Sequence, residues 1–187
     1  MLSTLRKNLE KNLKDRGLSL RATDLAALVE GVAPKSTRTA LSYALDFLRP
    51  FSAGMGLRVT RLSDRHAEMI LPVRQRNVDA QGRIHEGALF TAALEVARLL
   101  WLRHAPIGDF QVHMKDCVFH ILQDYSGELR VRMELPETQV ETVLAQIRGR
   151  QMTQTEVTVH FFDAKEKSIA EAHVTLQLKH QPVLSAP

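Results

Sequence analysis

Cysteine is nearly missing from this chain of 187 residues, and aromatics are scarce, with one tryptophan and two tyrosines. The lone Cys117 excludes an intramolecular disulfide and suits a reducing cytoplasm, where the protein is expected to reside. Next to Asp116 in a strand-like stretch and without motif context, it reads as a buried structural thiol, not a nucleophile. A secretory signal is missing too, because Arg6, Lys7, Lys11 and Lys14 interrupt any apolar core near the start. Glu10 and Asp15 argue against an organellar transit peptide. The longest apolar run, Ala88 to Leu102, is too short for a bilayer span and contains Glu95 and Arg98, so no membrane span is expected. None of the eight histidines falls in an H-E-x-x-H pattern, and neither cysteine nor carboxylate stands at metal spacing, so no metal is expected. The chain has no G-x-S-x-G, phosphate-loop or dinucleotide-binding pattern, no internal repeat and no low-complexity segment.

What is present is the material of an ordinary globule, 44% hydrophobic and 25% charged. That suffices for one domain with a sizeable core and perhaps an appendage. The formal charge of +4 suits a phosphate-bearing partner without requiring nucleic acid.

At the amino end, Leu2, Leu5, Leu9 and Leu13 form one stripe at helical spacing up to Gly17. Docking of this helix on its own dimer is favoured over a basic arm for DNA or membrane. Thr23 can cap a short helix over Asp24–Glu30, ended by Gly31. After Pro34, Ser36 or Thr37 caps another, with Ala40, Leu41, Ala44, Leu45 and Leu48 on one face, and Pro50 ends it. Two short helices with Lys35, Arg38 and Thr39 at the start of the second invite a DNA-reading interpretation, but the arrangement is common elsewhere, and nucleic acid is not the expected partner.

From Gly54 the period changes to that of strands. Leu57, Val59 and Leu62, the turn Ser63-Asp64-Arg65, then Ala67, Met69, Leu71 and Val73 alternating with His66, Glu68 and Ile70 predict a hairpin. Gln111 to Leu122 reads as a strand, apolar on both faces in its second half and therefore central or interfacial. After a turn at Asp124-Tyr125-Ser126-Gly127, Leu129, Val131, Met133 and Leu135 alternate with Glu128, Arg130, Arg132 and Glu134. Pro136 stops that strand, and 137–148 is helical until Gly149. A second hairpin follows, Thr155–Phe162 with its return through Ala172, Val174, Leu176 and Leu178. The tail after His180 is expected to be loose.

Between the first hairpin and Gln111 lies the stretch on which the rest turns, Asn77-Val78-Asp79-Ala80-Gln81-Gly82-Arg83-Ile84-His85-Glu86-Gly87-Ala88-Leu89-Phe90. It is a polar loop running into a helix without Gly or Pro from Ala88 to His104, rich in Ala and Leu and apolar around most of its circumference. Five or six mostly antiparallel strands around one such helix make an α+β layout. A curved sheet covers much of so apolar a helix and a partner subunit the rest, which predicts a homodimer or a dimer of dimers.

This entry loop resembles that of the hotdog-fold thioesterases, whose pattern is an Asn, then His-x-Gly, then the central helix. The resemblance is greatest to the bacterial acyl-CoA thioesterase-like group that has a helix ahead of the sheet and another before the last two strands. It implies a helical extension at 1–36, a hotdog domain at 37–180 and a tail at 181–187. It also implies hydrolysis of an acyl thioester carried by coenzyme A or an acyl carrier, with coenzyme A part of the substrate and no separate cofactor.

Within that frame, the backbone N–H groups of Gly87 and Ala88 stand free of intrahelical partners and hold the thioester oxygen as it gains charge, aided by the helix dipole. Gly87 also lets the acyl group approach; the alternative is close packing on a strand. His85 positions or polarises groups, or else caps the helix or bonds a backbone carbonyl. Asn77 holds an activated water or the loop itself. Many relatives carry Asp or Glu nine residues after the His, where this chain has Leu94, and the acid Glu95 comes one step later, about 100° around the helix. Glu95 is therefore either the general base or the partner of Arg98. Glu86 replaces the first glycine of a His-Gly-Gly pattern at the mouth. Thr91 holds water or belongs to the core. Arg74, Arg76, Arg83, Arg148 and Arg150 lie near strand ends and suit the phosphates of coenzyme A. Two further readings stay open: an acyl-thioester or lipid binder without turnover, and an acyl-CoA-responsive DNA-binding regulator that uses residues 18–49.

Overall fold

A computed structural model of the chain describes residues 52–104, 110–150 and 152–180. The helices expected within 1–50, the helix end at Pro106-Ile107-Gly108 and the tail beyond 180 lie outside the described residues. The elements in chain order are β1 (Arg58–Leu62), β2 (His66–Leu71), α1 (Glu86–His104), β3 (Phe110–Ile121), β4 (Leu129–Glu134), α2 (Glu137–Arg150), β5 (Met152–Phe162) and β6 (Ser168–His180). The strands form one sheet of six in the order β1-β2-β4-β5-β6-β3, and every pairing is antiparallel. Among the described residues the layout is α+β, with a six-stranded antiparallel sheet and two helices.

Strand alternation decides which face turns inward. In β4, Leu129, Val131 and Met133 are buried while Arg130, Arg132 and Glu134 face out. In β5, Val157, Val159 and Phe161 are buried opposite Ala170, Ala172 and Val174 of β6. Helix α1 lies on this inner face and packs on β2, β4, β3 and β5. Ten of its nineteen residues are buried, among them Leu89, Val96, Leu100 and Trp101. Burying large side chains of this kind contributes roughly 1.5–3 kcal/mol each, so α1 and the sheet hold each other. The far end of α1 is tied to the β1–β2 turn, where Arg103 Nη2 meets Asp64 Oδ1 at 2.8 Å and the His104 ring meets the Asp64 carbonyl. Helix α2 docks on the same inner face beside β5, burying Val140, Val143 and Ile147.

Of the two alternatives for the strand beginning near Gln111, central or interfacial, the first is excluded: β3 forms the edge of the sheet beyond β6. Its apolar second half arises because Phe119 and Cys117 face the core while Val118, Ile121 and the following Leu122 stay about half exposed. The register fixes a direction as well. Leu71 pairs with Leu129, Arg130 with Phe162 and Ile121 with Ala170, so these strand ends share the end of the sheet where the loop into α1 leaves β2.

Candidate active site

The loop from Asn77 to His85 is held from within. Asn77 is fully buried, and its side-chain NH2 donates to the carbonyls of Met55 at 2.9 Å and Pro72 at 2.7 Å. Asp79 Oδ1 accepts from the backbone N–H groups of Arg83 (2.9 Å) and Gln81 (3.0 Å), and the Arg83 side chain reaches Oδ2. The Arg83 N–H above all holds the Asp79 carboxyl below the usual carboxylate range. Gly82 takes φ +78, which allows the tight return without strain. A bridge between Val78 and Ile84 closes the loop.

The loop delivers His85 to the start of α1 as its cap. Ala88 N–H donates to His85 Nδ1 at 3.0 Å, while His85 Nε2 lies 3.0 Å from the Arg76 carbonyl. A carbonyl only accepts, so the proton sits on Nε2 and Nδ1 is the acceptor. An imidazole thus does what a serine or aspartate side chain does at an ordinary N-cap. The expectation that Ala88 N–H is free is therefore corrected: it is taken by the His85 ring and by the His85 carbonyl at 2.9 Å.

Gly87 differs. It is exposed, and its N–H makes no hydrogen bond among the described residues. A Cβ at this position would lie 3.2 Å from Cε1 and Nδ1 of His85, a tight contact that the imidazole could relieve only by shifting a few tenths of an ångström. The glycine spares the histidine that crowding, and the same absence of a side chain leaves the adjoining N–H open to solvent. Glu86 is exposed beside it, and Thr91 returns its hydroxyl to the Gly87 carbonyl at 2.8 Å.

Other expected residues divide between the mouth and elsewhere. The Arg74 guanidinium lies across Gly56, where a Cβ would be 2.0 Å from Arg74 Cζ, and Arg76 runs alongside Gly54. With Arg83 on Asp79, these three stay near the loop. Arg148 and Arg150 end α2 next to Met152, while the mouth is at the Phe162 end of β5. At about 3.3 Å per residue, most of the length of a strand of eleven residues separates them from the mouth within one chain. Glu95 is eight residues beyond Gly87, roughly 12 Å along the axis, and is 1% exposed. Its Oε1 meets Arg98 Nη1 at 3.2 Å, and Arg98 Nε donates to the Val112 carbonyl of β3 at 3.0 Å. The carboxylate thus serves an ion pair that ties α1 to β3.

Sequence reasoning passed over Tyr125 as a turn residue. Its hydroxyl donates to the Ile84 carbonyl at 2.6 Å across a separation of 41 residues. Burial first, and then the negative charge of Glu86, push its phenol up from the ordinary tyrosine value. Cys117 is half-buried, and its thiol is pushed up to about 11 by burial and by Asp116, which makes it a poor nucleophile.

The outer face of the sheet carries a separate groove of about 690 Å³, lined by residues that include Arg132, Glu156, His160, Phe162 and His173. Burial would push Glu68 on this face up, but the Thr60 hydroxyl and the Arg132 guanidinium outweigh it and hold it low. Among the described residues no three ligating side chains are arranged to hold a metal, and no helix is long and apolar enough to cross a membrane.

The architecture is shared with solved proteins. A Pseudomonas aeruginosa protein of unknown function described as a probable thioesterase matches with a TM-score of 0.68 at 20% identity, over 80% of this chain and 97% of that one. A thioesterase enzyme of Staphylococcus aureus matches with a TM-score of 0.56 at 14% identity, over 70% of this chain and 99% of the other. Another Pseudomonas aeruginosa protein, described as a thioesterase, gives the same TM-score and identity as the Staphylococcus aureus enzyme, over 70% of this chain and 86% of that one. At such identities the likeness establishes the fold. No curated protein matches the sequence. A family model described as "Domain of unknown function (DUF4442)" matches residues 37–178.

Proposed function

We propose, for a chain that belongs to the DUF4442 family, that it is a hotdog-type hydrolase of acyl thioesters working at the mouth of α1. The observation that carries this reading is the Gly87 N–H: exposed, without a hydrogen bond among the described residues, and at the amino end of a buried helix. The thioester carbonyl oxygen accepts from this group. As water adds to the carbonyl carbon, the charge growing on that oxygen is met by the N–H and by the positive end of the helix dipole, about half a charge. The C–S bond then breaks and the thiolate leaves with its carrier. The proton of the attacking water passes to a carboxylate. Glu86 is the exposed carboxylate of the same mouth, whereas Glu95 would have to come from a second copy and first give up Arg98. Both ring nitrogens of His85 are committed, so it positions the turn instead of attacking. Arg74, Arg76 and Arg83 are the cations at hand for the phosphates of coenzyme A.

A second copy fits this reading. Strand β3, twelve residues long, is a sheet edge with Val118, Ile121 and Leu122 exposed, and such an edge invites strand addition. We therefore read the active form as a homodimer or a dimer of dimers.

The test is release of free thiol from short-chain, medium-chain and aryl acyl-CoA by the purified protein. Release from at least one class is expected, and no release from any would sink the reading. One observation favours an alternative, binding without turnover: Ala88 N–H, the His85 ring and Glu95 are each engaged in structural pairs. Calorimetric binding of acyl-CoA without thiol release would select it, while loss of turnover in Glu86→Gln with binding retained would select hydrolysis. A DNA-reading role would rest on residues 18–49, outside the described residues.

A further inference from the structure

We infer that Tyr125 is a positioning residue for the Gly87 donor, acting through the peptide bond between Ile84 and His85; this rests on the hydrolase reading. That peptide is clamped at both ends. Its carbonyl oxygen accepts the Tyr125 hydroxyl at 2.6 Å, and its N–H donates to the Asn77 carbonyl at 3.0 Å. Asn77 is itself fixed by the two bonds of its buried side chain. A peptide plane held on both edges cannot rotate without breaking one of these bonds, and its orientation sets where the His85 Cα and ring begin. The ring in turn lies 3.2 Å from where a Cβ of Gly87 would stand. The direction of the Gly87 N–H, two residues on, follows from that clamp.

Asn77 and Asp79 act from inside the loop, but Tyr125 reaches it from the connection between β3 and β4. That connection is anchored to the start of β6, through Leu122 N–H to the Ile169 carbonyl at 2.9 Å and the Gln123 side chain to the Ser168 carbonyl. The Tyr125 ring packs on the edge of the core, so its hydroxyl links the mouth to the sheet. A carbonyl 0.5–1 Å out of place would be expected to leave the donor aimed poorly at the oxyanion while leaving binding of the carrier untouched, because alignment matters most in the transition state.

Tyr125→Phe, made in the full-length chain, removes the hydroxyl and keeps the ring. Exchange of the bonded amides of His85, Ala88 and Leu89 is expected to quicken by roughly ten-fold, the factor of about one net hydrogen bond, with β5 and β6 unchanged. For thioester hydrolysis, kcat is expected to fall by roughly ten-fold with KM within about two-fold, a split that a general loss of folding would not give. Unchanged exchange at His85, Ala88 and Leu89 overturns the clamp, and faster exchange there with undiminished kcat overturns the positioning role. If the unaltered protein releases no thiol, the hydrolase reading fails by itself, and the exchange measurement alone decides whether Tyr125 sets this turn.

Discussion

The two helices begin almost alike and differ in one respect that matters. Each opens on a glutamate, Glu86 in α1 and Glu137 in α2, and each ends on basic residues. In each, a threonine in the second turn returns its hydroxyl to the carbonyl of the helix's second residue: Thr91 to Gly87 at 2.8 Å and Thr142 to Thr138 at 2.7 Å. Their dipoles therefore point equal partial charges at their amino ends. Both openings also have a carbonyl that takes two N–H groups, His85 those of Ala88 and Leu89 at 2.9 and 3.3 Å and Pro136 those of Gln139 and Val140 at 3.1 and 3.2 Å, but the second residue of α2 carries a full side chain. In α1 the second residue is glycine, an imidazole stands over it, and a loop pinned at Asn77, Asp79 and Tyr125 frames the turn. A helix dipole is common to both; clearance and a rigid frame belong to α1 alone.

The sharpest way to break this contrast is to give α1 what α2 has. Gly87→Val places carbon against the His85 ring and over the free N–H. Thioester hydrolysis is expected to fall by about 100-fold or more, in line with removal of an oxyanion donor, while circular dichroism is retained. The matching change in α2, Thr138→Val, is expected to leave kcat/KM within about two-fold. Equal losses from both would show that the two helix ends are not different in kind.

Next in size is the frame. Asn77→Leu leaves the Met55 and Pro72 carbonyls without their donor in a buried place, at an expected cost of about 2–4 kcal/mol seen as a lower urea midpoint. The corresponding anchor of α2 is Gln139, whose side chain donates to Thr155 Oγ1 at 2.8 Å and to the Glu156 carbonyl at 2.6 Å on β5. Its partners are less enclosed, so Gln139→Ala is expected to cost about 1 kcal/mol with kcat unchanged. A kcat loss in Gln139→Ala as large as that in Gly87→Val would mean that the site extends to α2.

How much of this was legible from the sequence follows from what periodicity can report. The alternation of Leu129, Val131 and Met133, and the unbroken Ala- and Leu-rich run after Gly87, name an element and its inner side without reference to neighbours. Both hairpins, both helices within the described residues and the α+β layout were readable on that ground. Periodicity does not say who covers a face. Gln111 to Leu122 therefore read as central or interfacial with nothing to choose between them, and β3 is an edge with Val118 exposed. It is equally blind to which end of a sheet a residue occupies, so five arginines read as one set although Arg148 and Arg150 sit far from the mouth. The place of His85 was visible, and a helix cap or a carbonyl bond stood among its alternatives; that it makes both, and that the carbonyl is that of Arg76, was not. Tyr125 gave no signal, since the bond its hydroxyl makes to Ile84 spans 41 residues.

The smallest expected effect separates the two helix ends by pH. Asp79 is held below the ordinary carboxylate value chiefly by the Arg83 N–H, with Gln81 N–H and the Arg83 side chain adding to it. A carboxyl with a lowered folded value stabilises its ionised, bonded state fully above the unfolded value of about 3.9, and this contribution is lost as pH falls through the folded value. Protection of the Gln81 and Arg83 amides should therefore be constant above about pH 5 and decline below about pH 4. The Gln139 and Val140 amides of α2, bonded to a backbone carbonyl instead of a carboxylate, should hold theirs until the chain unfolds. Asp79→Asn keeps an oxygen acceptor but has no charge to lose, so protection at Gln81 and Arg83 should be weaker at neutral pH and flat toward acid. A decline shared by both helix ends at the same pH, in the unaltered protein, would mean that the loop has no local stability of its own and that its frame is only as rigid as the whole domain.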